Sequence, residues 1–243
     1  MRKTLLAIAA LALLLSGCVG METKPMEAPD IEGFKAGRSA MAFVYPEKRL
    51  SYQEEVYKVF YIETRGITSE FAGMWDIDRD LSHDFARGFQ GRSIDTTPVD
   101  ALLTPEQQKA LQGQMAAYQA TDPDRGVAPF SVPQELRQAL LDQGIDYLIS
   151  ARGLNINITA YSLTGLSLVY FPYALTVTDL RTNQSLFSSI ESLNTSYDFE
   201  DSAREIEQNG LKGLRELLDT STKTSFGDKF LPKTLGLVKD DQG

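Results

Sequence analysis

The chain has 243 residues, with 33 acidic against 24 basic side chains for a formal net charge of −9, one cysteine and one histidine. An acidic chain lacks the clustered Lys and Arg that a phosphate backbone requires, so no nucleic acid partner is expected. A single cysteine excludes internal disulfides, zinc thiolate sites and iron–sulfur clusters, and a single histidine, His83, leaves multi-histidine metal sites without ligands; no cofactor is expected.

The chain opens with the positive Met1-Arg2-Lys3, an apolar run from Thr4 to Leu15, and the small residues Ser16-Gly17 just before Cys18. That is the order of a secretory signal. The apolar run falls well short of the roughly 20 residues a membrane-spanning helix needs. Leu15-Ser16-Gly17-Cys18 resembles the lipobox of bacterial lipoproteins. The resemblance implies that residues 1–17 are a signal peptide removed before Cys18, and that Cys18 is diacylated on sulfur and usually acylated on its new amino terminus. Each buried methylene contributes roughly 0.8 kcal/mol, so two or three chains hold a protein on a membrane where one would not. The plainer alternative is an ordinary signal with a chance cysteine. In the lipoprotein family an aspartate after the cysteine favours inner-membrane retention, and here Val19 stands in that place. The resemblance therefore implies an outer-membrane anchor with the globular part on the periplasmic side. The mature chain would keep 226 residues, and loss of Arg2 and Lys3 takes the charge from −9 to −11.

Residues 18–37 show no sustained hydrophobic period and read as a lipidated flexible tether. Residues 38–45 read as a first strand, ended by Pro46. Val56 to Thr64 reads as one strand with two partly covered faces, a helix over 51–63 being the alternative. A helix from Asp76 to about Gln90 carries Leu81, Phe85 and Phe89 on one face, with acids in its first turn where the helix dipole favours them. Residues 93–103 read as a short strand and loop. Thr104-Pro105-Glu106-Gln107 spells a helix start, a Thr cap, Pro at the first position and Gln three after the cap, leading to Leu111, Met115 and Tyr118. After the turn-rich residues 121–126, a helix through Leu136, Leu140 and Leu141 ends at Gly144. Ile145 to Ile158, Leu166 to Leu180 and Ser185 to Asn194 read as three antiparallel strands in succession, a meander, with Pro172 marking a bulge, interruption or edge. Asp198 to Asp219 reads as a closing helix with Phe199, Ala203, Ile206, Gly210, Leu214 and Leu217 on one face, and residues 220–243 as a C-terminal tail that either packs on the domain or stays loose. The expected fold is one globular α/β or α+β domain over 38–219: a mixed sheet ending in an antiparallel three-strand meander, flanked by helices.

Asp76, Asp78 and Asp80 alternate like the opening of a calcium loop, but Leu81 and Arg87 stand where the template needs Gly and Glu. No Gly-x-Ser-x-Gly, His-Glu-x-x-His or phosphate-binding glycine loop occurs. Carboxylate pairs for glycosidic chemistry are assembled by folding and leave no sequence spacing. Tyr170, Phe171 and Tyr173, around Pro172, form the densest aromatic stretch. They read as core, or, where a loop is exposed there, as the first candidate partner contact.

Residues 133–219, with Gly144 to Ser150, a meander containing Val177 to Leu186 and a closing helix, resemble the periplasmic domains of envelope-assembly lipoproteins such as the curli secretion lipoprotein and the lipoprotein activators of penicillin-binding proteins. The likeness is one of fold and brings no catalytic motif; the acidic middle section departs from both. The reading is a non-enzymatic lipoprotein that binds an envelope protein or peptidoglycan. The alternatives are a hydrolase on an envelope polymer, expected to show a carboxylate pair in a groove, and a small-ligand or lipid carrier, expected to show a large apolar cavity.

Overall fold

The computed structural model describes residues 26–58, 61–122, 126–198 and 211–237. Cys18 and the signal segment lie outside the described residues, as do Phe199, Ala203, Ile206 and Gly210 of the expected closing helix. Among the described residues the short β5 (Thr121–Asp122) and β6 (Gly126–Val127) pair antiparallel on their own, and eight strands form one mixed sheet. Its spine is the hairpin of β9 (Leu166–Asp179) and β10 (Gln184–Asp198), antiparallel from end to end. Fourteen extended residues span about 45 Å, too long for one neighbour of ordinary length on the opposite edge of β9. Two strands share that edge: β7 (Tyr147–Gly153) pairs with residues 173–179 and β8 (Ile156–Tyr161) with residues 166–170. The next rank repeats the division, β1 (Ser39–Val44) running parallel to β7 and β2 (Arg49–Tyr57) parallel to β8. The sheet closes with β3 (Ile62–Glu70) antiparallel to β2 and the short β4 (Thr96–Pro98) parallel to β1. The mixed sheet and its meander are as the sequence predicts.

Register shows how the ranks break. Gly153 faces Tyr173 and Asn157 faces Tyr170, so four steps along β7 and β8 match three along β9. The extra residue is a bulge at Leu154-Asn155, and it replaces the single long strand expected over 145–158. Pro172 lies opposite it. Its carbonyl accepts from the Leu154 N–H at 2.9 Å, and a strand residue's N–H and C=O leave on the same side, so the donor that proline lacks would have faced the bulge. Proline therefore sits in the middle of a central strand without disturbing β9 itself.

One face of the sheet, with Met41, Phe43, Ile149, Leu175 and Val177, is covered by α2 (Ile77–Gln90), α5 (Lys212–Ser221), the π-helix Thr222–Phe230 and α6 (Leu231–Thr234). The other, with Ala40, Ala42, Val44 and Leu148, lies under α3 (Pro105–Ala117) and α4 (Gln134–Leu141). Helix starts follow the local code. Asp76 accepts from the Arg79 N–H, and Thr104 and Gln107 form the reciprocal capping box. Gly144, which follows α4, has φ +73, a conformation natural to glycine. Leu111 and Met115 are buried as predicted, and Tyr118 is half-buried.

Two further expectations change, and the tail, open between packed and loose, is decided. Residues 28–36 of the expected tether form α1 (Ala28–Ala36), with Phe34 fully buried edge-on to Phe89 and Tyr147; a single docked ring leaves no period to read. The span from Val56 to Thr64 holds parts of two strands, since β2 ends at Tyr57, β3 starts at Ile62, and the Lys58 N–H donates to the Tyr61 carbonyl at 2.9 Å. Residues 220–237 of the tail pack on the domain through Phe226, Phe230, Leu231, Leu235 and Leu237. Among the described residues no helix is long and apolar enough to cross a membrane.

Candidate functional site: a bare sheet face and a charged cleft

The cover on this face of β9 ends at the level of Pro172, where Ala174 packs against Ala120 and Val127 and, further down, Thr178 donates to the Phe130 carbonyl at 3.3 Å. Below it, the even-numbered residues of β9, Ala174, Thr176 and Thr178, are buried; above it, on the same face, Leu166, Leu168 and Tyr170 are 43%, 46% and 46% exposed. The odd-numbered Ser167, Val169 and Phe171 point to the other face and are buried. Register places Tyr161, Thr159 and Asn157 of β8 beside the three exposed residues, with Ser196 and Asn194 of β10 on the far side of Leu168 and Tyr170. Beyond β8 the face continues through Glu55, Gln53 and Ser51 of β2 to the pair Tyr57 and Ile62. The Tyr57 N–H donates to the Ser162 hydroxyl at 3.1 Å, tying together the two turns at this end, where Tyr61 and Leu163 are exposed. Tyrosine and leucine surrounded by neutral amides and hydroxyls have the makeup of a protein-recognition surface.

Of the aromatic stretch singled out as a partner contact, Tyr170 alone is on this surface. Phe171 and Tyr173 are fully buried, packed edge-on against Tyr45 and Phe85, and burial pushes the Tyr173 phenol well above its ordinary range. The period of two divides the stretch, and the folded protein cannot offer Phe171 or Tyr173 to a partner. Tyr57, Ile62, Leu166 and Leu168 were missed. The signal for the last two was Leu166-x-Leu168-x-Tyr170, which reads as core because Val169 and Phe171 on the alternate positions are apolar as well.

A cleft of about 850 Å³ opens between α2 and α5, lined by Trp75, Asp80, Asp84, Arg87, Arg215 and Asp219 among others. Its carboxylates are engaged by cations. Asp80 accepts from Arg215 and from the Trp75 indole N–H, each at 2.9 Å. Arg87 donates to Asp84 on its own helix and to Asp219 on α5 at 3.0 Å. Burial raises Asp84 to about 6, with Arg87 pulling the other way. Two carboxylates thus converge on one guanidinium in a sugar-sized cleft, an arrangement with no sign in the order of residues. The acidic run is divided by function. Asp76 caps α2, Asp80 faces the cleft, and Asp78 accepts from the Tyr45 N–H at 2.8 Å and from Lys48. Burial still raises the Asp78 carboxyl, against the pull of Lys48. His83 is held by Asp100 at 2.8 Å. Among the described residues no group of three His, Cys, Asp or Glu is placed to hold a metal ion.

No protein-family model matches the sequence, and no curated protein matches it. Among solved structures the chain is similar to the PelC dodecamer from Paraburkholderia phytofirmans at 9% identity, over 83% of this chain and 91% of that one, with a TM-score of 0.37. Lipoprotein GNA1162 from Neisseria meningitidis matches at 12% identity over 78% and 97%, TM-score 0.36. The LpoB C-terminal domain from Salmonella enterica matches at 7% over 69% and 94%, TM-score 0.22. At such scores no function and no residue role carries across to this chain.

Proposed function

We propose that this chain is a lipid-anchored, non-enzymatic accessory protein of the bacterial cell envelope, held on the periplasmic side of the outer membrane through Cys18 and acting by binding an envelope protein or peptidoglycan. The observation that carries the reading is Leu15-Ser16-Gly17-Cys18 at the end of a short charged and apolar segment. Since α1 begins at Ala28, about ten residues separate the anchor from the folded body, a reach of roughly 35 Å at full extension. The body would work close to its membrane. The test is expression of the full chain and its Cys18→Ser variant in a Gram-negative host. The wild-type protein should fractionate with outer membranes and begin at an acylated Cys18, while the variant should leave the membrane. A protein that begins at Met1, or whose Cys18 is a free thiol, overturns the reading.

The cleft supports a second reading. Asp84, raised to about 6, lies in one groove with Asp219, and a raised carboxyl sharing a groove with a second carboxylate is what a hydrolase acting on an envelope polymer would use. Release of soluble fragments from purified sacculi that disappears in both Asp84→Asn and Asp219→Asn would establish it. Sacculi that stay intact would dispose of it.

A further inference from the structure

The long strand β10 is an edge: its fifteen residues pair with β9 alone. The Pro172 carbonyl points to the β7 and β8 side of β9, so Phe171 and Tyr173 point the other way and bond with Leu193 and Glu191. The residues of β10 between and beyond those, Ile190, Ser192, Asn194 and Ser196, therefore turn their N–H and C=O outward, roughly 7 Å apart. Among the described residues two of those carbonyls accept hydroxyls, Ile190 from Ser189 at 3.4 Å and Asn194 from Ser221 at 3.2 Å. The outward N–H groups and the carbonyls of Ser192 and Ser196 have no hydrogen bond among the described residues. Asn194 and Ser196 are exposed, and Ile190 and Ser192 partly so.

Proteins normally blunt an open edge with Lys, Pro, charge, a bulge or a short strand, and the other edges of this sheet are blunted so. The strand β4 is three residues long and ends in Pro98, and β3 carries Glu63, Arg65 and Glu70. By contrast β10 has no Lys, Arg or Pro, and its bulge lies at the far end, between Ser185 and Phe187.

We propose that β10 from Ile190 to Ser196 is a docking edge that takes an extended segment of another protein as an added strand, with a Lys or Arg of that segment opposite Glu191. This site rests on the reading of the chain as an envelope binding protein, and it selects a protein partner over peptidoglycan glycan. Backbone donors and acceptors at that interval are matched by another backbone, and a sugar chain does not repeat them. Glu191 chooses the charge of the segment. It lies on the same face as Tyr173, its carboxyl accepts from the Ser189 hydroxyl at 2.6 Å, and it has no ion pair among the described residues, while burial raises it. A residue facing Glu191 across the new edge would occupy a non-hydrogen-bonded position, roughly 4.5 Å away between Cα atoms, where opposite charges attract. A second copy would bring a further net charge of −9 and a β10 with no cation to set there.

The test uses the full chain purified in detergent and, as probe, a phage-displayed library of linear peptides. Peptides selected on the wild-type chain should carry Lys or Arg and should slow amide exchange at Ile190, Ser192, Asn194 and Ser196. In the unbound chain those amides should exchange freely, while Glu191, Leu193 and Thr195 are already protected by β9. The Ser192 N–H serves no bond within the sheet, so Ser192→Pro leaves the pairing with β9 whole. It should weaken binding by about tenfold or more, with Ser192→Ala binding as the wild type does, and Glu191→Gln should lose the preference for a basic residue. Selection of no peptide, binding indifferent to Ser192→Pro, or protection confined to other residues overturns the inference. Should Ser192→Pro lower the thermal midpoint, the exchange pattern of the wild-type chain decides. A peptide that protects only the face around Leu168 would sink the edge and leave the binding reading standing. Edge binding by a chain that fractionates free of membranes would sink the anchor and leave the edge.

Discussion

The phenolic oxygen of Tyr45 lies 3.2 Å from the backbone nitrogen of Ile156, accepting its N–H, and donates to the Arg49 carbonyl, so one buried hydroxyl joins the two broken ranks of the sheet where both change strand. Tyr45→Phe leaves a buried donor and a buried acceptor without partners. Urea unfolding should show a loss of about 1–3 kcal/mol with an unchanged slope. Burial holds the Tyr45 phenol up at about 12 against an ordinary 10.0. The native state therefore keeps this proton more tightly than the unfolded chain, and the contribution is complete below pH 10 and lost as pH rises through about 12. The phenylalanine variant should lack that alkaline component.

Asp84 gives the second pH-dependent contribution. Its folded value of about 6 lies above the ordinary 3.8, so its stabilising proton is in place below about pH 4 and is lost as pH rises through 6. Asp84→Asn removes the titration. The stability of the variant relative to the wild type should rise between pH 4.5 and 7.5 by on the order of 1 kcal/mol, discounted for water reaching the open cleft. Urea midpoints at the two pH values measure it, and a constant difference would refute it.

Gly153 ends β7 against two rings. A Cβ there would lie 2.8 Å from Phe171 and 2.9 Å from Tyr45, both buried and unable to yield. Gly153→Ala should destabilise by about 1–3 kcal/mol through overpacking, seen as a lower thermal midpoint. Gly113→Ala, with nothing within 4 Å of the added atom, should not destabilise.

Phe226 ties the C-terminal segment to α2, its ring 4.4 Å from Phe85 and 5.3 Å from both Phe89 and Phe230. Phe226→Ala should cost about 3–5 kcal/mol. Hydrogen exchange should then show faster opening of residues 211–237 than of β7 or β9, because the lost contacts are those between that segment and the rest.

The sequence by itself determined what is settled within about four residues. The Thr104 and Gln107 capping box, the helix start at Asp76, the turn at Gly144 and the Leu81, Phe85 and Phe89 stripe were legible because the groups that satisfy one another are neighbours along the chain. The strand alternation through the β9 and β10 hairpin was legible for the same reason. Tertiary structure alone decided which apolar residues became core and which became surface. Tyr170 and Phe171 are adjacent and alike in character, yet the first faces outward beyond the cover that Ala120, Val127 and Phe130 give the lower half of β9, and the second packs on Tyr45. Phe34 and Phe226 gave no period because each docks as a single ring against α2. Pro172 tolerates its central place because the bulge lies on another strand, and the Tyr45 hydroxyl finds its partner 111 residues away. Burial depends on which segments come to lie over one another, and that is fixed by long-range pairing.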